Sequence, residues 1–414
     1  MATITIPLDI PDVTILSIDY PDNDTIRITV ASTIHSTKCR KCGRLLTHAH
    51  GTDDPIELRH LPILGRNTVI RVYPVRYRCR DCHRRPTTTQ RLPWYTLRCG
   101  HTQAYDAFLV QQVVNSTVED VSRRENIGYE AVMGALRRHV ATAVNWEEID
   151  HLEVLGVDEI SLKKGHKDFV TIVTGQCHGR LRLLAVLKDQ KKATVKAFFR
   201  QIPTRLHAHL VAICTDLYEG FVNAAGEVFG AEKVVADRFH VTKLYRKALE
   251  QVRKQAMRQL KETLPKEEYA QLKGVMWVLR KTPQALTHED YQQLHHLFRH
   301  APVVRTVYDL CQDLTDIFDN GTLSVSEARE AMTAWMERVK QTGVRAFKTF
   351  LKTLKAHWVA ITNYFLNRHN SGFVEGLNNK IKVIKRRCYG ILNRQHLFQR
   401  IALDVAGHTK KAGK

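Results

Sequence analysis

Four cysteines stand in two short pairs, Cys39-Arg-Lys-Cys42 and Cys79-Arg-Asp-Cys82. Each Cys-x-x-Cys turn presents two thiolates to one ion, and two such turns complete a tetrahedral zinc site with no open position for chemistry. The 36 residues between them (79 − 42 − 1) exceed a compact ribbon, but a hairpin fills that length. The pattern predicts a structural Zn²⁺ on Cys39, Cys42, Cys79 and Cys82, against the blander reading of coincidental free thiols. His83, Cys99 and His101 are alternates for one ligand. A redox pair fits less well, because no βαβ pattern surrounds either motif. Arg40, Lys41, Arg78, Arg80, Arg84 and Arg85 crowd the turns and suit a small DNA reader better than a catalyst.

Three acids suggest a second kind of site. Asp158 lies in the apolar run Leu155-Gly-Val-Asp158-Glu159, Asp216 ends the run Leu210–Thr215, and Glu375 opens the basic stretch Glu375-Gly-Leu-Asn-Asn-Lys-Ile-Lys382. Open α/β sheets place ligands at strand ends. Converging carboxylates repel unless cations neutralise them, and oxygen ligands suit Mg²⁺ or Mn²⁺. Strand alternation lets only one of Asp158 and Glu159 face a given site. Taken singly, each acid is equally well a turn residue, a helix-start residue or a surface charge.

The elements that must position these residues change character along the chain. Val13–Ile18 and Thr25–Val30 read as β-branched strands around the turn Pro21–Asp24, and Thr68–Arg78 as one alternating strand. Helical periodicity covers Thr102–Asn115, Thr117–Glu125 (with Thr117-Val-Glu-Asp120 as a start signal) and Tyr129–Ala143 around the turn Asn126-Ile-Gly128. Such a triplet has the lengths of a helix-turn-helix, with Arg123, Arg124, Arg137 and Arg138 as candidate DNA contacts; the alternative is a plain three-helix unit with a solvated basic face. Strands follow at Val154–Leu162, Asp168–Thr174, Leu181–Leu187, Leu210–Thr215 and Lys233–Ala236, with helices at Ala193–Gln201 and Glu219–Phe229: a mixed α/β sheet. From about 241 to 365 amphipathic helices take over, with start signals at Thr287–Asp290 and Ser324–Glu327. Trp277, Trp335 and Trp358 there read as core. A last helix spans Gly372–Arg387, and Lys410–Lys414 reads as a frayed tail.

The 414 residues carry a formal charge of 63 − 42 = +21, which suits a polyanionic partner, with nucleic acid the default. That length exceeds a single core, and a 25% charged, 43% hydrophobic composition excludes wholesale disorder. No apolar run reaches the ~18 residues of a membrane span, and the polar Met1–Asp9 does not read as a signal peptide. Nine cysteines without that signal point to a reducing cytosol.

The order of parts resembles the bacterial insertion-sequence transposases of the ISL-three family. The matching stretches are Gly156-Val-Asp158-Glu159, Thr215-Asp216, Asp237-Arg-Phe-His240 and Ser371-Gly-Phe-Val-Glu375-Gly-Leu-Asn-Asn-Lys-Ile-Lys382. The cysteine pairs and the helix-turn-helix fall where this family carries them. The resemblance implies a multidomain α/β chain: an N-terminal zinc-ribbon-like domain over 1–100, a helix-turn-helix over 101–147, a ribonuclease-H-like catalytic core over 148–240 and 366–405, and a helical insertion over 241–365. It implies that Asp158, Asp216 and Glu375 hold two Mg²⁺ (or Mn²⁺) ions, and that Asp237 and His240 form an acid-x-x-His motif.

The implied reaction is cleavage at terminal inverted repeats and joining of the 3′-hydroxyls to target DNA by two-metal phosphodiester chemistry. His240 is expected beside the scissile phosphate; its alternative is a helix-start histidine bonded to backbone. Lys380, Lys382, Lys385, Arg386 and Arg387 are expected on DNA backbone, although their spacing covers more than one helix face. Paired DNA ends make a homodimer the natural expectation, in the bacterial cytoplasm on the nucleoid and without membrane contact. Two other readings share these residues: a non-catalytic DNA-binding regulator or domesticated transposase with an idle core, and a structure-selective nuclease that cuts without joining.

Overall fold

The computed structural model describes residues 5–163, 167–369 and 372–406; the Lys410–Lys414 tail and the motif positions Asn370 and Ser371 lie outside them. Contacts divide the chain into a unit ending at Ala141 and a unit over Thr142–Ala406. Among the described residues of the first unit the strands run β1 (Val13–Asp22), β2 (Thr25–Ser32), β3 (Thr37–Lys38), β4 (Leu45–Leu46), β5 (Ala49–Thr52), β6 (Ile56–Ile63), β7 (Arg66–Val72), β8 (Val75–Arg78) and β9 (Thr87–Thr89). They form sheets ordered β1-β2-β7-β6 and β5-β8-β9 and a β3-β4 hairpin. Ile26, Ile28 and Val30 alternate inward on β2 against Leu58, Ile70 and Val72, as a half-buried strand requires. The single strand expected over Thr68–Arg78 is two, β7 and β8, in different sheets. Pro74 lies between them; it has no N–H for a ladder.

Three helices close this unit: α1 (Gln103–Val113), α2 (Val118–Arg124) and α3 (Tyr129–His139). Thr102 and Thr117 cap α1 and α2 by accepting from the backbone N–H three residues on. The third helix stops short of Ala143, because Val140 already has extended backbone at φ −115°, ψ 116°. Asp106 of α1 is buried and accepts from Nε (2.7 Å) and Nη2 (2.8 Å) of Arg138, tying α1 to α3. His60 of β6 bonds Thr102 through Nδ1 (2.9 Å), seating the start of α1 on the sheet.

The second unit opens with β10 (Val154–Lys163), β11 (Lys167–Cys177) and β12 (Arg180–Leu187), then α4 (Lys192–Phe199), α5 (Thr204–His207), β13 (Ala212–Thr215), α6 (Glu219–Phe229) and β14 (Val234–Ala236). The sheet order is β12-β11-β10-β13-β14. The first three strands pair antiparallel, while β10-β13 and β13-β14 pair parallel. Alternation on β11 divides the two faces: Val173 points to a core shared with α4 and α6, and Val170 and Ile172 point to a core shared with the last two helices.

After β14 come α7 (Arg238–Thr263), α8 (Lys266–Ala270), α9 (Val275–Val278), α10 (His288–His300), α11 (Pro302–Asp319), α12 (Val325–Gln341), α13 (Lys348–Ala356), α14 (Trp358–Thr362) and α15 (Tyr364–Asn367). Reciprocal capping boxes start α10 at Thr287/Asp290 and α12 at Ser324/Glu327, as their sequences predict. Trp335 is fully buried and donates to the Leu310 carbonyl (2.8 Å). Trp277 departs from the core expectation: it is 62% exposed, with the Arg280 guanidinium 5.2 Å from its ring centre. The chain ends in α16 (Gly372–Arg387) and α17 (Arg394–Ala406), which cover the second sheet face through Leu377, Ile381, Ile384, Leu397 and Ile401. No helix among the described residues is long and apolar enough to cross a membrane.

Candidate active site

Strand register brings acids from three strands to one level. β10 and β13 pair as Gly156↔Cys214 and Val157↔Thr215, so the next step sets Asp158 beside Asp216. β13 and β14 pair through Thr215↔Ala236, so the same step sets Asp216 beside Asp237. Asp237 caps α7: it accepts from the Phe239 N–H (3.0 Å), and its Oδ2 holds Nδ1 of His240 (2.9 Å). The histidine is bonded to a side chain, not to backbone. With Nδ1 committed, Nε2 is the nitrogen it can offer to the cleft it lines.

That cleft has a volume of about 810 Å³ and is bordered by Asp158, Asp216, His240 and Lys243, by α16 through Asn378, Lys382, Lys385 and Arg386, and by Tyr389 just beyond that helix. It follows the β10 backbone from Asp158 to Leu162, so Glu159 borders it too, despite strand alternation. Burial pushes the Asp158 carboxyl above the usual range and the charge of Asp216 adds to it, against the Glu159 N–H, His240 and the Asn378 amide. Burial also raises Asp216, aided by Asp237 and opposed by the Tyr218 N–H and His240. The hydrogen bond from Asp237 raises His240, burial opposes it, and the charges of Asp237, Asp158 and Asp216 add to the rise.

Asn378, Lys382 and Lys385 recur at steps of four and three along one stripe of α16, with Arg386 beside Lys385. Asn378 donates to Asp158 Oδ2, and Lys385 donates to the Ser161 carbonyl, its ammonium lowered by burial. The other two cations of the basic run face elsewhere: Lys380 donates to the Asp404 carbonyl and Arg387 pairs with the Asp404 carboxylate on α17. Glu375 continues the stripe one turn before Asn378, but it is exposed and is not among the residues lining the cleft. The structure thus brings Asp158, Asp216 and His240 together with Lys382, Lys385 and Arg386, and leaves Glu375 at the exposed start of α16. Sequence reasoning missed Asn378 and Lys243. The signal was their position one turn beyond Glu375 and His240, respectively.

The four thiols of the N-terminal unit lie within 4.8 Å of one another. Cys39 and Cys82 sulfurs are 4.0 Å apart and those of Cys42 and Cys79 3.8 Å. A tetrahedron with 2.3 Å zinc–sulfur bonds has edges of ~3.8 Å, so the donor set fits that ion. Backbone N–H groups of Cys42 and Lys41 bring the Cys39 thiol down to about 6. Cys99 and His101 cluster instead with Asp106, so neither substitutes in this set. The carboxylates of the cleft are a different donor set, hard oxygens that fit a divalent ion of the magnesium kind.

Two comparisons bear on identity. Residues 155–401 match the family described as transposase, and residues 90–140 match the helix-turn-helix domain of transposase family ISL3. The chain belongs to the ISL3 transposases. It is 26% identical over 396 residues, 95% of each chain, to the transposase for insertion sequence element IS1001 of Bordetella parapertussis. It is also 26% identical to the transposase for IS1557 of Mycobacterium tuberculosis H37Rv, over 90% of this chain and 87% of that one. In this ISL3 chain α1–α3 lie within the helix-turn-helix match, and the cysteine pairs precede it. Of the four arginines singled out there, Arg124 is exposed, Arg123 pairs with Glu119 (2.9 Å) and Arg137 with Glu130 (3.2 Å). Arg138 is committed to Asp106, so it holds α3 in place.

Proposed function

We propose that this chain cuts the ends of an insertion sequence at terminal inverted repeats and joins the freed 3′-hydroxyls to target DNA. The observation that carries the reading is the adjacent pair Asp158 and Asp216, in one cleft with His240 and the cations of α16. Asp158 and Asp216, with Glu375 from α16, would hold the two Mg²⁺ (or Mn²⁺) ions. Bound there, such ions supply the Lewis-acid charge that phosphodiester cleavage needs. Lys382, Lys385 and Arg386 bind and orient the DNA backbone across the cleft. Asp237 holds the His240 ring by Nδ1, so that Nε2 can hydrogen-bond a phosphate oxygen or carry a proton. Strand transfer exchanges one phosphodiester for another, so it needs no nucleotide cofactor.

The sheet order β12-β11-β10-β13-β14, antiparallel then parallel, supports a ribonuclease-H-like core interrupted by the helices from α7 to α15. The thiol spacing supports structural Zn²⁺ in a ribbon-like module, which with the helix-turn-helix would read the element ends. In this reading the modules run 1–100, 101–147, 148–240 with 366–405, and 241–365. Paired ends would be held by a homodimer on the bacterial nucleoid in the cytoplasm. The test is incubation of the purified chain with Mg²⁺ and DNA carrying the inverted repeats that flank its gene. Wild type should nick and join, while Asp158→Ala, Asp216→Ala and Glu375→Ala each bind without nicking. Binding without nicking by wild type identifies a regulator; nicking without joining identifies a nuclease. Nicking retained by Glu375→Ala removes Glu375 from the triad.

A further inference from the structure

Glu268 of α8 and His296 and His300 of α10 place one ligand atom each within 4.8 Å of one another, and none of the three lines the cleft or belongs to the cysteine cluster. The histidines are one helical turn apart, the i, i+4 spacing that puts two imidazoles on one face. Their ring centres are 4.9 Å apart. Glu268 Oε2 lies 3.9 Å from His300 Nε2, too far for a hydrogen bond but close enough for both atoms to reach one ion.

The ring of His296 is held against α8, its Nε2 3.2 Å from the Glu268 carbonyl oxygen. The stripe is also held from outside the cluster. Gln293, one turn before His296, donates through Nε2 to the carbonyls of Gln271 and Lys273, both at 2.8 Å. Helix α10 is thus pinned to the backbone leaving α8 by a contact that does not depend on an ion. His300 is 26% and Glu268 46% exposed, so solvent reaches the cluster.

We propose that Glu268, His296 and His300 bind a divalent transition ion of the zinc type and clasp α8 to α10. Two imidazoles and one carboxylate, with water in a fourth position, suit zinc and its neighbours and do not suit Mg²⁺. Because the ion binds the folded arrangement, it stabilises this part of the chain. The inference uses no residue of the cleft, so it stands or falls separately from the DNA reaction.

The test is calorimetric titration of the full chain, already carrying one equivalent of zinc, with zinc chloride and in parallel with magnesium chloride. Wild type should take up one further zinc per chain and no magnesium at these residues. His300→Ala and the double variant His296→Ala/His300→Ala should lose that uptake, with unchanged helix content and the first zinc retained. Glu268→Gln, which keeps the shape of the side chain, should weaken it about tenfold or more. Cobalt substitution separates the two sites, because only the cysteine site gives thiolate-to-metal charge-transfer absorption. Wild type that stops at one zinc, or a second zinc that survives in the double variant, overturns the proposal.

Discussion

The cysteine cluster and the carboxylate cleft each gather side chains of a kind that can ligate cations, yet they are organised differently. The four thiols already sit at tetrahedral distances, because each pair is closed by its own four-residue turn and one hairpin-length excursion brings the turns together. The acids come from β10, β13 and α16, and only two of them share the cleft. Thiols protonate or share protons at modest cost, so they can wait in contact. Burial raises both cleft carboxyls, and neighbouring acid charge adds to the rise, that of Asp216 on Asp158 and that of Asp237 on Asp216. The thiol cluster is closed by its local turns, whereas the acids of the cleft arrive on separate elements.

The sharpest break of this comparison is loss of chemistry without loss of fold. Asp158→Ala should lower strand cleavage by on the order of 10³-fold or more, with zinc content and end binding unchanged in elemental analysis and gel-shift assays. Cys79→Ser should do the reverse. A structural zinc site binds with on the order of 10 kcal/mol in all, and loss of one of four thiolates should weaken it enough that zinc and end binding disappear together while the α/β unit keeps its helix content.

His240→Ala should slow cleavage by about 10²-fold. Because its partner Asp237 raises the imidazole, wild type should retain a protonated ring to higher pH than free histidine, and the alkaline limb of the rate profile should vanish in the variant. The smallest effect concerns stability. Asp216 is raised in the folded chain, so its stabilising contribution is complete below the ordinary carboxylate range and is lost as pH rises through the raised value. Asp216→Asn should therefore melt higher at pH 7, by about 2 °C, and equal wild type near pH 3. A variant that melts lower at pH 7 would show that the cleft carries no charge strain.

Signals carried by a few neighbouring residues were readable in the sequence. The capping boxes at Thr287 and Ser324, the paired cysteine turns and the acids at strand ends depend on short-range geometry. The missed or misplaced features depend on partners far along the chain. Arg138 looks like a DNA contact until Asp106, 32 residues earlier, accepts from its Nε and Nη2. The basic run of α16 reads as one patch, yet Asp404 draws Lys380 and Arg387 away from the cleft. Helix α17 escapes a search for apolar periodicity because Gln399, Arg400 and Asp404 lie on its buried side.

Residue types and their short-range spacing were enough to name the thiol set and the order of the sheet's strands and helices, while the acids and the histidine beside Asp237 were named through the family resemblance. Which carboxylates meet, which cations face them and which side chains are consumed in packing were settled by strand register and helix docking. Those depend on contacts across the sheet and between helices, which a one-dimensional pattern does not encode.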